Sequence, residues 1–213
     1  MLPLEGYRVL DLTHVLAGPC ATHHLRCLGA EVIKIERPGG GDPMRALDMQ
    51  PELEGLTPGF RALNAGKKSI VLDLATEEGR AAVLRLAGSC DVFVENFRPG
   101  VARKLGLGPD EIRAVRPDIV YCSISGWGQA GPNSARGAYD HVIQAATGMM
   151  AMQGSDVSAP PVKVGFPVID IATGISAAEA ILAALIRRLR GDTAPVTRDV
   201  SMVDCALALM AGP

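Results

Sequence analysis

The stretch "LDLTHVLAGP", residues 10–19, joins an apolar run to a helix that starts at Pro19. "EVIKIE" (31–36) follows and ends on an acid. Buried strand, tight turn, helix, second strand and terminal acid are how a dinucleotide-binding unit begins. The glycine signature G-x-G-x-x-G is nevertheless missing from the turn. The question is which ligand this turn receives, if not a nicotinamide dinucleotide.

Working outward, Val- and Ile-rich runs recur at Val9–Thr13, Val32–Glu36, Ile70–Leu74, Val92–Asn96 and Ile119–Ile124. Helical segments fill the gaps. Pro19–Leu28 opens on proline and stops at Gly29, the usual asymmetry of helix ends. Thr76 is placed to cap a helix through Ala87, with Glu77 and Glu78 in its positive first turn. Asp110–Val115 is a shorter helix, closed by Pro117. Strands that read as apolar on both faces, separated by helices, argue for a mostly parallel α/β sheet flanked by helices. After Gly126 the texture changes to the glycine-rich "GWGQAGPNSARGAYD" (126–140), the expected functional surface. A helix over about 140–150, a loop over 153–167 and a strongly apolar helix over 175–189 follow. "RDVSM" (198–202) reads as a last strand before a final helix near Val203.

Bulk properties exclude several classes. A net charge of −2 gives no electrostatic reason to expect nucleic acid or an anionic membrane. One Trp, three Tyr and four Phe leave little for a base-stacking surface. Five scattered cysteines with no C-x-x-C pair suggest neither a disulfide framework nor a thiolate metal site. With no basic-then-apolar leader, and with charges at 179, 187 and 188 breaking a segment too short to span a bilayer, the chain reads as a soluble cytoplasmic protein.

Candidate chemistry is sparse. Asp170, in "VIDIATG" (168–174), comes just before the long helix, where it serves as N-cap unless Thr173 takes that role. In that case its carboxylate points from a loop into the cleft. His14 stands at the carboxyl end of the first strand, the edge at which open α/β sheets bind ligands. His23 and His24 lie beside Cys20 and Cys27 on the first helix, where exposed helix histidines are the plainer reading than a zinc site. No cysteine has a suitably placed partner histidine. No G-x-S-x-G elbow or Walker A pattern occurs.

Seven motifs in order settle more: "LDLTHVLAGP", "LGAEVIKIERPGGGDPMR", "NAGKKSIVLDL", "DVFVENFRPGV", "YCSISGWGQAGP", "YDHVIQAATG" and "DIATGISAAEAILAAL". Together, from Leu4 to about Leu209, they resemble the family III CoA transferases, the group of formyl-CoA and carnitine CoA transferases. The resemblance implies a Rossmann-like fold whose first turn receives coenzyme A, as the acyl-CoA substrate, with no metal. It places His14, Val15, Leu16 and Ala17 on the CoA site, with Arg37, Leu72, Asp73, Leu74, Ala75, Asn96, Phe97, Arg98 and Lys104. Gly137, Ala138, Tyr139 and Asp140 match residues toward the thioester end. Ala75 and Gly137 stand where formyl-CoA transferase has lysines. Lys67 and Lys68 are available to add positive field, though loop lysines are commonly solvated.

Asp170 matches the family's catalytic aspartate. The implied mechanism passes CoA from an acyl-CoA to a carboxylic acid through an aspartyl mixed anhydride and an aspartyl-CoA thioester. An ordinary aspartate, with a pKa of about 3.9, is already ionised for this work at neutral pH. The resemblance further implies that 1–213 is the N-terminal part of a larger CoA-binding domain. A smaller second domain and a C-terminal return segment lie outside it, and full-length subunits interlock as a homodimer. The isolated stretch is then expected to be poorly soluble or weakly active. Three alternatives compete: an α-methylacyl-CoA racemase, although Tyr139 stands where racemases place a histidine and His141 is two residues away; a truncated CoA-binding fragment without turnover; and an NAD dehydrogenase, favoured only by Glu36.

Overall fold

The computed structural model describes residues 1–47, 54–154, 156 and 158–211. Six strands form one all-parallel sheet: β1 Arg8–Asp11, β2 Glu31–Glu36, β3 Lys68–Val71, β4 Val92–Glu95, β5 Val120–Ser125 and β6 Val196–Ser201. Their order is β3-β2-β1-β4-β5-β6, the order of doubly wound sheets, in which strand direction of travel reverses between β1 and β4.

Alternation along the central strands divides the core in two. Val9, Val32, Val92, Val120 and Cys122 face one side, against α1 (Ala17–Cys27) and α8 (Val168–Leu189). Leu10, Ile33, Phe93 and Tyr121 face the other, against α3 (Glu77–Ala87) and α5 (Pro109–Val115). The rings of Phe93 and Tyr121 stack at 5.0 Å, and the Tyr121 hydroxyl donates to the Leu107 carbonyl at 3.0 Å. A third, smaller core gathers Ile143, Met149, Ile169, Met202 and Ala206. It lies under α6 (Asp140–Ala146), α7 (Met149–Met152) and α9 (Met202–Met210). These helices belong to the long β5–β6 crossover and its sequel.

The expected elements are present, with shifts that have physical causes. The third strand lies at Lys68–Val71, before the apolar Leu72 and Leu74, because it is an exposed sheet edge and those leucines pack on the second core after the strand has ended. The helix expected over 140–150 is two helices, broken at the left-handed Gly148 (φ 84°). Three short elements carry no strong periodicity: a 3-10 turn at Pro43–Arg45, α2 at Pro58–Asn64 and α4 at Val101–Lys104. Residues 155 and 157 of the loop expected over 153–167 lie outside the described residues.

The largest revision concerns α8. It begins at Val168 rather than near 175, and its 22 residues are long and apolar enough to cross a membrane by length and composition. The expectation that this segment is too short for that is therefore overturned. One face of it is buried against α1, with Ala177, Ala178, Ile181, Ala184 and Leu185 in the core. Gly174 permits the closest approach: a Cβ there would stand 2.7 Å from the Cys20 Cβ and 2.8 Å from the Ala17 carbonyl oxygen. That crossing sets the two helix N-termini side by side at the carboxyl edge of the sheet.

Candidate active site

Because α8 starts at Val168, Asp170 sits inside its first turn, and neither it nor Thr173 is the N-cap. Thr173 instead donates its hydroxyl back to the Ile169 carbonyl at 2.7 Å. The capping acceptor comes from another helix. Asp140, at the start of α6, accepts from the amides of Ile169 (2.8 Å) and Asp170 (3.1 Å) through a single oxygen, Oδ2. Its Oδ1 accepts from Gln144 Nε2, and Gln144 Oε1 accepts from the Val164 amide at 2.8 Å. Asp140 is buried and serves as a support beneath the cavity rather than as part of its lining.

This arrangement changes Asp170. A helix N-terminus alone favours a carboxylate, but Asp140 already occupies the amides. Burial, followed by the charge of Asp140, pushes the Asp170 pKa up to about 7. The ordinary, fully ionised aspartate expected from sequence is thereby corrected. We expect Asp140→Ala to destabilise the fold by about 2 kcal/mol in urea denaturation, since two buried amides lose their acceptor.

Across the cavity, the β1–α1 turn is held in an unusual shape. Asn96 clasps His14 on both sides: Oδ1 accepts from the His14 amide at 2.9 Å and Nδ2 donates to its carbonyl at 2.8 Å. Val15 is left-handed (φ 67°), an uncommon conformation for a β-branched residue. Its amide donates to Asp42 Oδ1 at 3.1 Å. Helix α1 has no side-chain cap. The amides of Leu16 and Ala17 consequently form a ready anion-binding terminus.

Two neighbouring cavities lie along this edge. The larger, about 470 Å³, is lined by His14, Val15, Leu16, Ala17, Asn96, Phe97, Arg98, Gly137, Ala138, Tyr139 and Asp170. The smaller, about 230 Å³, is lined by Arg37, Leu72, Asp73, Leu74 and Ala75, and shares His14 and Phe97 with the first. Their rings, 5.9 Å apart, mark the boundary between the two. Burial holds the His14 imidazole below its usual pKa. Arg37 donates to the Gly41 carbonyl at 3.1 Å. Arg80 steadies the Leu72–Ala75 turn by donating to the carbonyls of Leu74 (3.1 Å) and Ala75 (2.8 Å).

Not every expected residue converges here. Lys104 is exposed at the end of α4 and lines neither cavity. Lys67 is not a solvated loop lysine: its side chain is 1% exposed and pairs with Asp11 at 3.1 Å. Lys68 is exposed and pairs with Glu31 at 2.7 Å. Glu36 accepts from Arg45 Nε and Nη2, each at 2.7 Å, from Ser69 at 2.6 Å and from the Asp42 amide at 2.9 Å. It is fully engaged within the protein, which removes the one feature that favoured a dinucleotide ribose. His23 Nε2 does contact Cys27 Sγ, at 3.5 Å, a pairing not expected from sequence. It lies on α1 outside both cavities. Among the described residues, no three His, Cys, Asp or Glu side chains cluster as metal ligands. His141 is exposed and outside the lining, whereas Tyr139 is part of it.

The structure adds Ser125, Gly126 and Arg136 to the larger cavity. Arg136 stacks over the Trp127 ring at 4.9 Å. The glycine-rich loop after β5 was the available signal, but its individual side chains could not be singled out from it.

Comparison with known proteins identifies a family. The sequence model described as "CoA-transferase family III" matches residues 4–213. A succinyl-CoA:glutarate CoA-transferase of Mus musculus is 47% identical over 190 residues, 89% of this chain and 43% of that protein. A succinate–glutarate CoA-transferase of Agrobacterium fabrum is 41% identical over 214 residues, 98% of this chain and 53% of the relative. Among solved structures, a CAIB/BAIF family protein from Brucella suis superposes with a TM-score of 0.91 at 40% identity, covering 99% of this chain and 56% of that one. The chain spans about half the length of the curated relatives it matches.

Proposed function

Since the chain belongs to the CoA-transferase family III, we propose that it binds an acyl-CoA along the carboxyl edge of the sheet and that Asp170 carries CoA transfer to a carboxylic acid. One observation carries this reading. The partly buried Asp170 carboxyl, its pKa raised by burial and by Asp140, and the uncapped N-terminus of α1 face a single cavity.

In this reading the nucleotide end of CoA lies beside Arg37 and the Leu72–Ala75 turn, and the thioester reaches past His14 and Phe97 to Asp170. The ionised Asp170 oxygen attacks the thioester carbonyl, the C–S bond breaks, and a mixed anhydride and CoA thiolate result. The thiolate then attacks the aspartyl carbonyl, expelling the donor acid and leaving an aspartyl-CoA thioester. An acceptor carboxylate repeats the two steps in reverse and leaves as the new acyl-CoA. Donor groups aimed at each tetrahedral oxyanion supply the largest stabilisation in such acyl transfers. The amides of Leu16 and Ala17, which line the cavity, are the donors at hand. Burial raises the Asp170 pKa but also makes the ionised carboxylate a poorly solvated and therefore stronger nucleophile.

Relatives named for succinyl-CoA and glutarate make short dicarboxylic acids the first donors and acceptors to try. Arg98 and Arg136 line the same cavity, and among the described residues neither forms an ion pair. A homodimer belongs to the same reading, supported by Tyr139 and Phe166, which are 65% and 55% exposed. The deciding experiment is mass spectrometry of the Asp170 peptide after incubation with succinyl-CoA, with and without hydroxylamine. The expected product is an aspartyl hydroxamate at Asp170 alone. An unmodified Asp170 in a preparation that exchanges CoA would overturn the mechanism.

A further inference from the structure

Lys34 lies in the middle of β2, an unusual place for a lysine, with its side chain 1% exposed. Its ammonium is 2.9 Å from Asp42 Oδ2, an aspartate with no side-chain exposure, and donates to the Thr13 carbonyl at 2.7 Å. Asp42 is in turn fastened: its amide donates to Glu36 Oε2 at 2.9 Å, and its Oδ1 accepts from Met44 (3.0 Å) and from Val15 (3.1 Å). A second buried pair holds the far side of the same turn. Asp11 Oδ1 accepts from the Thr13 amide at 2.9 Å. Lys67, paired with Asp11, donates to the Pro19 carbonyl at 3.0 Å. Neither lysine lines the larger cavity.

Burying charged pairs is a poor route to stability, because desolvation offsets most of the attraction. Here both pairs terminate on the backbone of one turn, and that turn contains the left-handed Val15. A strained residue persists only where its surroundings over-determine it. We propose that Lys34, acting through Asp42 and Thr13, is a positioning residue: it locks the β1–α1 turn so that the amides of Leu16 and Ala17 face the CoA thioester. The inference rests on the reading that CoA occupies this edge.

The test is calorimetric titration of the 213-residue chain with CoA, together with amide hydrogen exchange over residues 14–18. Lys34→Met is expected to weaken CoA binding about tenfold and to speed exchange in the turn, the scale set by one strained residue. Adding Val15→Gly, which reaches a positive φ without strain, is expected to recover most of that loss while leaving the melting temperature of the Lys34→Met chain low. A purely structural lysine would show the fall in melting temperature without recovery of binding. If Lys34→Met does not fold, Lys34→Met with Asp42→Asn leaves no lone buried charge and takes its place. Unchanged affinity in a folded variant, no recovery with glycine, or failure of both backgrounds to fold would each overturn the positioning role. A wild-type chain that does not bind CoA would instead overturn the functional reading on which it rests.

Discussion

Asp170→Asn is expected to lower CoA exchange between an acyl-CoA and a carboxylic acid by roughly a thousandfold or more, while CoA binding persists. The carboxamide cannot form the anhydride, and loss of a covalent nucleophile commonly has an effect of this size. The substitution is nearly isosteric, and Asp170 is only partly buried, so the fold should survive. Exchange measured with labelled acceptor acid gives the rate, and titration with CoA gives the binding. If exchange persists near the wild-type rate, covalent catalysis by Asp170 is ruled out.

The pH profile should be equally marked. With its pKa pushed up to about 7, Asp170 is about half protonated at neutrality. In the proposed reaction only the ionised form attacks. Turnover is therefore expected to rise with pH through 7 and to lie about a hundredfold below its plateau at pH 5. An ordinary aspartate would show almost no loss over that range. Asp140→Asn removes the neighbouring charge but keeps an oxygen acceptor for the helix amides, and should move the acid limb to lower pH.

The same perturbation acts on stability with a definite sign. The folded pKa of Asp170 lies above its ordinary value, so its favourable contribution is complete below about pH 4 and is lost as pH rises through about 7. Glu95, also buried and raised to about 7, acts in the same direction. Asp170→Asn removes only the first of these. Its melting temperature should exceed that of the wild type at pH 8, with the difference closing toward pH 4. An equal difference at both values would show that the buried carboxyl is not the cause.

How far these features could be read without coordinates depends on where their causes lie along the chain. Central strands announce themselves through runs such as "EVIKIE", since burial on both faces demands continuous apolar character. The edge strand Lys68–Val71 has no such demand and was misplaced onto the leucines that follow it. The cavity at the carboxyl edge was legible from His14 at a strand end and from the glycine-rich loop after β5. The true start of α8 was not, because Pro167 offers no capping side chain and the acceptor is Asp140, 30 residues earlier. The elevated pKa of Asp170 comes first from burial and then from that same long-range neighbour, neither of which is local. Burial of Lys34 and Lys67 is likewise invisible locally, because their counter-ions, Asp42 and Asp11, come from a loop and from another strand.

The close crossing at Gly174 has a consequence for how this site can change. Asp170 and the turn across the cavity from it ride on two helices that meet where Gly174 lies against Cys20 and the Ala17 carbonyl, too close to admit even a methyl group. Their separation is thus fixed like the jaws of a calliper, so that changes in the loops around the cavity need not reset it.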